Sequence, residues 1–302
     1  MSIRSGFGAI QEAVDKQDRQ QGPQGQSVNF ISWDGKESAS RNKKIVRFVN
    51  SEPTVIGMYS FVRCKDGKNR NFPNTEELAS PHEDLIGKTL TRTLKDGKEI
   101  PLKPTDQGLA LAVVRKEIRN PDGPGVTYED SLVDIEVDDS EKLEKIKQLA
   151  EEGHVTLEGN VVKQVPEVGL IQQSIGNFWK TLSGYYARYG TISDRDYEIS
   201  RNGAGLDTSY TIIPADPVED LKTEDQVHQR YAVSLFLHPE IGEWLERLGN
   251  KERIAHHLFG EGDSEDGSES EEKSFGSSPQ KEQPKPESDS SLKDLITGAL
   301  KK

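Results

Sequence analysis

The chain carries a single cysteine, Cys64, in 302 residues. One thiol excludes an internal disulfide, so nothing in the sequence calls for an oxidising compartment. Long apolar runs are missing too. No stretch approaches the roughly 18 apolar residues of a membrane span, and the opening MSIRSGFGAIQEAV has no apolar core of the kind a signal peptide needs. A soluble, cytoplasmic protein with no membrane partner is expected. Metal-binding spacing is also lacking. Between residues 64 and 85 only Cys64 and His82 offer N or S ligands, and a closed zinc site needs four. His256 and His257 are neighbours on an expected helix and point different ways. No metal or other cofactor is expected. The chain has no P-loop, no Gly-x-Ser-x-Gly and no His-x-x-x-His, so nothing points to an enzyme.

Hydrophobic residues make up only 32% of the chain, low for a globular protein of this length. The deficit lies at the ends. Residues 1–27 are rich in Gln, Gly and Ser and read as a flexible N-terminal arm with a short amphipathic pattern (Phe7, Ile10, Val14). Residues 261–302 form an acidic, low-complexity tail of net charge −5, against −13 for the whole chain. Such a composition predicts disorder. The tail's last residues, SLKDLITGALKK, carry a short apolar stripe of Leu292, Leu295, Ile296, Ala299 and Leu300, suited to a partner's groove. The remaining roughly 230 residues suffice for a sizeable core.

Within that body, short strands alternate with turns. KKIVRFVN alternates inward and outward residues. TVIGMYSFVRCKDGKNRNF reads as two strands joined at Asp66-Gly67, a hairpin with a basic tip. GLALAVVRKEIRN, VTYEDSLVDIEV and HVTLEGNVVKQVPEVGL read as further strands, and SEKLEKIKQLAEEG as a helix started by Asp138-Asp139 and ended by Gly153. From Ile171 to Gly190 the apolar spacing turns helical. DYEISRNG and DTSYTIIP form two strands across a glycine-rich loop. Residues 218–260 look helical. The pattern predicts a mainly β fold with helical additions (α+β), an OB-like Greek-key barrel over 28–217 extended by a helical part over 218–260.

Charge is uneven along this body. Between residues 36 and 70, Lys36, Arg41, Lys43, Lys44, Arg47, Arg63, Lys65, Lys68 and Arg70 oppose only Glu37, Glu52 and Asp66. Aromatic residues are interleaved with them. Cations that track phosphates, with flat rings for bases, are what a single strand of nucleic acid needs. Arg41, Lys43, Lys44, Arg47, Arg63, Lys65, Lys68 and Arg70, with Arg115 and Arg201 from later strands, are the candidate phosphate contacts. Trp33, Tyr59, Phe61 and Phe72 are the candidate stacking rings. Phe48 alternates with Arg47 and reads as core. The acidic tail could occupy the same groove as an intramolecular competitor.

Two segments, residues 28–62 and GNFWKTLSGYYARYGTISDRDYEISRNGAGLDTSYTIIP at 176–214, resemble the single-stranded DNA-binding proteins of tailed phages, the helix-destabilising type with an OB fold. The resemblance implies sequence-independent binding and protection of single-stranded DNA during phage replication and recombination, in the host cytoplasm. It also implies self-association along DNA through the N-terminal arm, and an acidic tail that autoinhibits and recruits replication and recombination proteins. Some members carry a zinc module after the first strands; the matching stretch here lacks the ligands. The alternative is a virion or assembly structural protein that binds no nucleic acid.

Overall fold

In the computed structural model of the chain, residues 28–33, 42–94, 96–119, 126–203 and 207–260 are described. The expected N-terminal arm, Arg41, the turn at Asn120–Gly125 and the acidic tail lie outside them. The strands are β1 (Lys43–Phe48), β2 (Thr54–Arg63), β3 (Asn69–Pro73), β4 (Thr91–Thr93), β5 (Glu99–Pro101), β6 (Thr105–Arg119), β7 (Val126–Asp130), β8 (Leu132–Glu136), β9 (Thr156–Glu158), β10 (Val161–Pro166), β11 (Val168–Ser174), β12 (Arg195–Asn202) and β13 (Ser209–Pro217). The helices are α1 (Leu85–Thr89), α2 (Ser140–Glu151), α3 (Lys180–Tyr189), α4 (Glu224–Arg230), α5 (Ala232–Leu237), α6 (Ile241–Leu248) and α7 (Lys251–Phe259). The fold is mainly β with helices, as the strand-rich pattern predicts.

The 15-residue strand β6 is the spine. Its register gives one edge in turn to β2 (Thr54↔Leu109, Met58↔Thr105) and β1 (Ile45↔Arg115, Phe48↔Ala112). The other edge goes to β11 (Ser174↔Gln107, Val168↔Val113) and β7 (Arg115↔Asp130). The main path runs β13-β12-β1-β6-β2-β3, and no pairing joins β13 to β3 among the described residues, so the hydrogen-bonded sheet does not close. A separate three-stranded sheet, β8-β10-β9, packs with α2 and α5 around its own core of Val137, Ile146, Val162 and Leu237.

Three expectations need correcting. The expected barrel is not closed among the described residues, because the path ends at β13 and β3 without a pairing between them. The helical spacing from Ile171 begins too early: Ile171 belongs to β11, and the helix starts only after a π-helical turn at Ile175–Trp179. Tertiary pairing with β6 overrides the local period there. Residues 28–33 form no long strand; among the described residues their only bridge is Phe30 to Leu170 in parallel, reinforced by Ile31 N–H donating to Leu170 O at 3.0 Å. Other local readings hold. Asp139 accepts a hydrogen bond from Lys142 N–H and caps α2, and Gly190 ends α3 in the left-handed conformation (φ 77°).

The two faces of the sheet are held differently. On one, Val46, Phe48, Tyr197, Ile199 and Ile212 pack beneath Trp33, Phe178, Trp179 and Leu182. The other holds a buried charge network. Arg47 on β1, 1% exposed, lies 2.9 Å from Asp196 on β12. Arg115 on β6 lies 3.3 Å from Asp196 and pairs with Asp130 on β7, which accepts from the Tyr231 hydroxyl at 3.0 Å. Burial lifts the Asp196 carboxyl above its ordinary range, and the two guanidiniums oppose that lift. The Arg47–Asp196 contact is Coulombic rather than directional: Arg47 Nε and Nη2 and Asp196 Oδ1 make no well-aligned hydrogen bond.

Removing one member of such a network leaves a buried charge uncompensated. Asp196→Ala should therefore lower the unfolding free energy by about 3–5 kcal/mol in urea denaturation. The double substitution Arg47→Met, Asp196→Leu should cost less than the single one. A D196A protein as stable as the parent would show that the network contributes little.

Candidate nucleic-acid interface

The structure separates the cations that the sequence groups together. Ile45 faces Arg115 on β6 and Met58 faces Thr105, ten residues away. At about 3.3 Å per residue that is on the order of 30 Å along the spine. Lys43 and Lys44 lie beyond one end of this span. Arg63, Lys65, Lys68 and Arg70 lie beyond the other. The expected single groove is thus two sites, because β1 and β2 follow one another along the same edge of β6.

At the β1 end most of the cations are committed to other groups of the protein. Lys43 Nζ sits 2.6 Å from Glu117 and 2.5 Å from Glu198, and both partners raise its pKa. Arg47 and Arg115 belong to the buried network and cannot meet a phosphate. Arg201 donates to Trp33 O at 2.9 Å and Thr208 Oγ1 at 3.1 Å, clamping the β12–β13 hairpin to residue 33. Lys44 lines an open, mixed-charge depression of about 450 Å³ together with Lys43, Arg115, Glu117 and Glu167.

Three of the four expected stacking rings are core. Trp33 is 4% exposed, packs against Phe178 and Tyr210, and donates its indole N–H to Ile199 O at 3.0 Å. Phe72 is 1% exposed and packs with Val62, Cys64 and Ile254. Tyr59 shares that core and donates its hydroxyl to Asp84; burial first, then that carboxylate, pushes its pKa up. The pairing of β2 with β3 puts Tyr59 and Phe72 in one core with Ile86 of α1 and Ile254 of α7, which no local pattern announced.

Phe61 is the exception. It is 78% exposed, the most open large apolar side chain among the described residues. The cause is a β-bulge: pairing slips between Tyr59↔Phe72 and Val62↔Arg70, so Ser60 and Phe61 together oppose Asn71. Phe61 takes φ 57°, a left-handed conformation that is costly for a bulky L-residue. Asn71 Oδ1 accepts its backbone N–H at 3.0 Å and holds the bulge. An exposed aromatic ring on a strained backbone makes this bulge a candidate contact point.

Around this ring the register gathers polar groups. Arg63 pairs with Asn69, and all three of Arg63, Asn69 and Asn71 are exposed. Among the described residues Arg63 makes no ion pair. Ser60 accepts from Gln107 Nε2 at 2.8 Å, and Gln172 Nε2 donates to Gln107 at 2.6 Å, extending an amide-rich strip across β2, β6 and β11. The hairpin tip adds Lys65 and Lys68. Arg70 is turned toward α7 and held by Asp66 at 2.6 Å, which keeps that carboxyl well below its usual range. Sequence reasoning missed Ser60, Asn69, Asn71, Gln107 and Gln172. The available signal was the polar ends of apolar strands, as in VGLIQQS, but only the register brings those ends together.

Among the described residues no group of three or more His, Cys, Asp or Glu could hold a metal ion, and no helix is long and apolar enough to cross a membrane. No family model, no curated protein and no solved structure matches the chain.

If the left-handed conformation at Phe61 is maintained for contact rather than for folding, Phe61→Gly should leave stability unchanged or raise it, by at most about 1 kcal/mol in thermal or urea unfolding. A loss of several kcal/mol would show instead that the ring holds the hairpin together.

Proposed function

We propose that the protein binds single-stranded DNA without reading its sequence, through the outer face of the β2–β3 hairpin and the adjoining amide strip. The observation that carries this reading is Phe61, an aromatic ring held in the open by a strained bulge, next to Arg63, which makes no ion pair among the described residues. A base stacked on such a ring gains about 1–3 kcal/mol whatever its identity. Arg63, Lys65 and Lys68 stand within the same hairpin for the phosphates. Asn69, Asn71 and Gln172 offer donors and acceptors to base edges with no fixed preference. In this reading the open sheet built on β6 is OB-like without closing into a barrel, and the protein coats exposed strands during phage replication or recombination and passes them to enzymes. The two segments of family resemblance support it.

The acidic tail enters the same picture through its point of attachment. Lys65 N–H donates to His257 O at 3.0 Å, and Lys65 Nζ to Phe259 O at 2.5 Å, tying the hairpin tip to the end of α7. Gly260 follows with φ 83°, and a β-carbon there would lie 2.8 Å from Lys65 Cδ. The chain therefore passes into its acidic segment beside the cationic tip. Eleven carboxylates tethered there compete with phosphates at a high effective concentration.

Fluorescence polarisation with labelled oligo-dT tests both parts. Phe61→Ala should weaken binding by about 1–3 kcal/mol, whereas Lys44→Ala should not. Affinity should fall with salt at a log–log slope of about −0.7 per phosphate neutralised. Removing residues 261–302 should raise affinity, most at low salt. No binding by the parent protein, or equal binding by F61A, would contradict the reading and favour a structural role.

A further inference from the structure

Among the described residues two that are not glycine take a positive φ, and the same device holds both. In the β2–β3 pair, Ser60 and Phe61 oppose Asn71. In the β8–β10 pair, Lys163 and Gln164 oppose Asp134, because pairing slips between Val162↔Ile135 and Val165↔Val133. The second residue of each bulge is left-handed, Phe61 at φ 57° and Gln164 at φ 52°. A bulge takes such a residue out of the ladder and leaves its N–H to find another acceptor. In both places the side chain of the single opposing residue supplies one. Asn71 Oδ1 accepts from Phe61 N–H at 3.0 Å, and Asp134 Oδ1 accepts from Gln164 N–H at 3.0 Å.

The two clasps differ in charge. Asp134 is a carboxylate, and its own bulge supplies the counter-charge, with Lys163 Nζ at 2.7 Å. Lys163 first, then the Gln164 N–H, keep that carboxyl below its usual range. A charge-assisted hydrogen bond is about twice as strong as a neutral one. An acid at position 71 would therefore hold the Phe61 bulge more firmly than the amide does. Position 71 is nevertheless neutral, and Ser60 stands where the other bulge has its lysine. Stability of the bulge does not explain that choice. A surface that must admit phosphates does, since a fixed carboxylate beside the ring would repel them.

We propose that Asn71 is the positioning residue of the single-strand site. Its amide oxygen fixes the backbone that presents the Phe61 ring, and its neutrality keeps that place open to an anionic ligand. This inference rests on the Phe61 hairpin being a single-strand site. Asn71 acts chiefly through Phe61, and its amide nitrogen can add a contact of its own.

Two substitutions in the full chain separate the two parts, read by polarisation with labelled oligo-dT and by NMR with isotope-labelled phenylalanine. Asn71→Ala removes the acceptor. The Phe61 backbone shifts should move from left-handed toward extended values, and oligo-dT binding should weaken about two- to tenfold, the worth of one hydrogen bond. In an F61A background the same substitution should cost less than about twofold, because the ring it positions is gone. Asn71→Asp keeps the acceptor. Phe61 should stay left-handed and the urea midpoint should not fall, while oligo-dT binds more weakly at low salt. That difference from the parent should narrow as salt screens the added charge. Phe61 shifts unchanged by N71A would overturn the positioning role, whether or not DNA binds. So would an equal loss of affinity in the parent and F61A backgrounds, which would make Asn71 a direct contact only. An N71D protein of parental affinity at low salt would overturn the charge argument. A parent protein that fails to bind oligo-dT, while N71A still moves the Phe61 shifts, would contradict the single-strand reading and leave the clasp on the bulge standing.

Discussion

Two guanidiniums buried side by side in one sheet demand two carboxylates, and those four groups tie together four strands that are distant in sequence. Arg47, Arg115, Asp130 and Asp196 come from β1, β6, β7 and β12, and Tyr231 links them to the helices beyond. Desolvation makes each charge expensive alone. A slip of one residue in β1 or β12 would turn Arg47 or Asp196 to the opposite, apolar face, so the network selects against the wrong register. With β1 fixed at the Arg115 end of β6, β2 must use the edge that remains, and its hairpin with β3 is carried to the far end.

That placement accounts for the division of labour among the basic residues. Those near β1 neutralise buried or half-buried acids: Lys43 with Glu117 and Glu198, Arg47 with Asp196. Those on the hairpin project past the body. There the bulge at Ser60 and Phe61 releases one ring from the core that holds its neighbours Tyr59 and Phe72. The strain at Phe61 is local and the core beneath it is well packed, so a costly conformation is tolerated by a rigid support. α7 completes that support by binding the tip through Lys65.

Much of the architecture was legible in the sequence. The alternation in KKIVRFVN, the turn Asp66-Gly67, the cap at Asp139 and the stop at Gly190 are local signals, and each has its structural counterpart. The candidate site was legible in part. Composition identified the basic hairpin and included Phe61 among four rings, but it could not tell the exposed ring from the buried ones. That distinction depends on a bulge, which is a property of two strands paired, and on α7, which returns from far along the chain. The same limit explains Arg47, Arg115 and Arg201. A guanidinium within a charged run looks solvated until its partners, Asp196, Asp130 and the Trp33 carbonyl, are brought across the sheet. Proximity in sequence suggested one groove, whereas strand register placed its two halves at opposite ends of β6.

The central claim is that an unpaired strand lies on the β2–β3 hairpin and not along β1. Photo-crosslinking of the full chain to oligo-dT, with the modified residue located by mass spectrometry, tests it most directly. The account predicts crosslinks at Phe61 and its neighbours between Ser60 and Asn71. Crosslinks concentrated at Lys43, Lys44 or the depression beside Asn29 and Phe30 would contradict it.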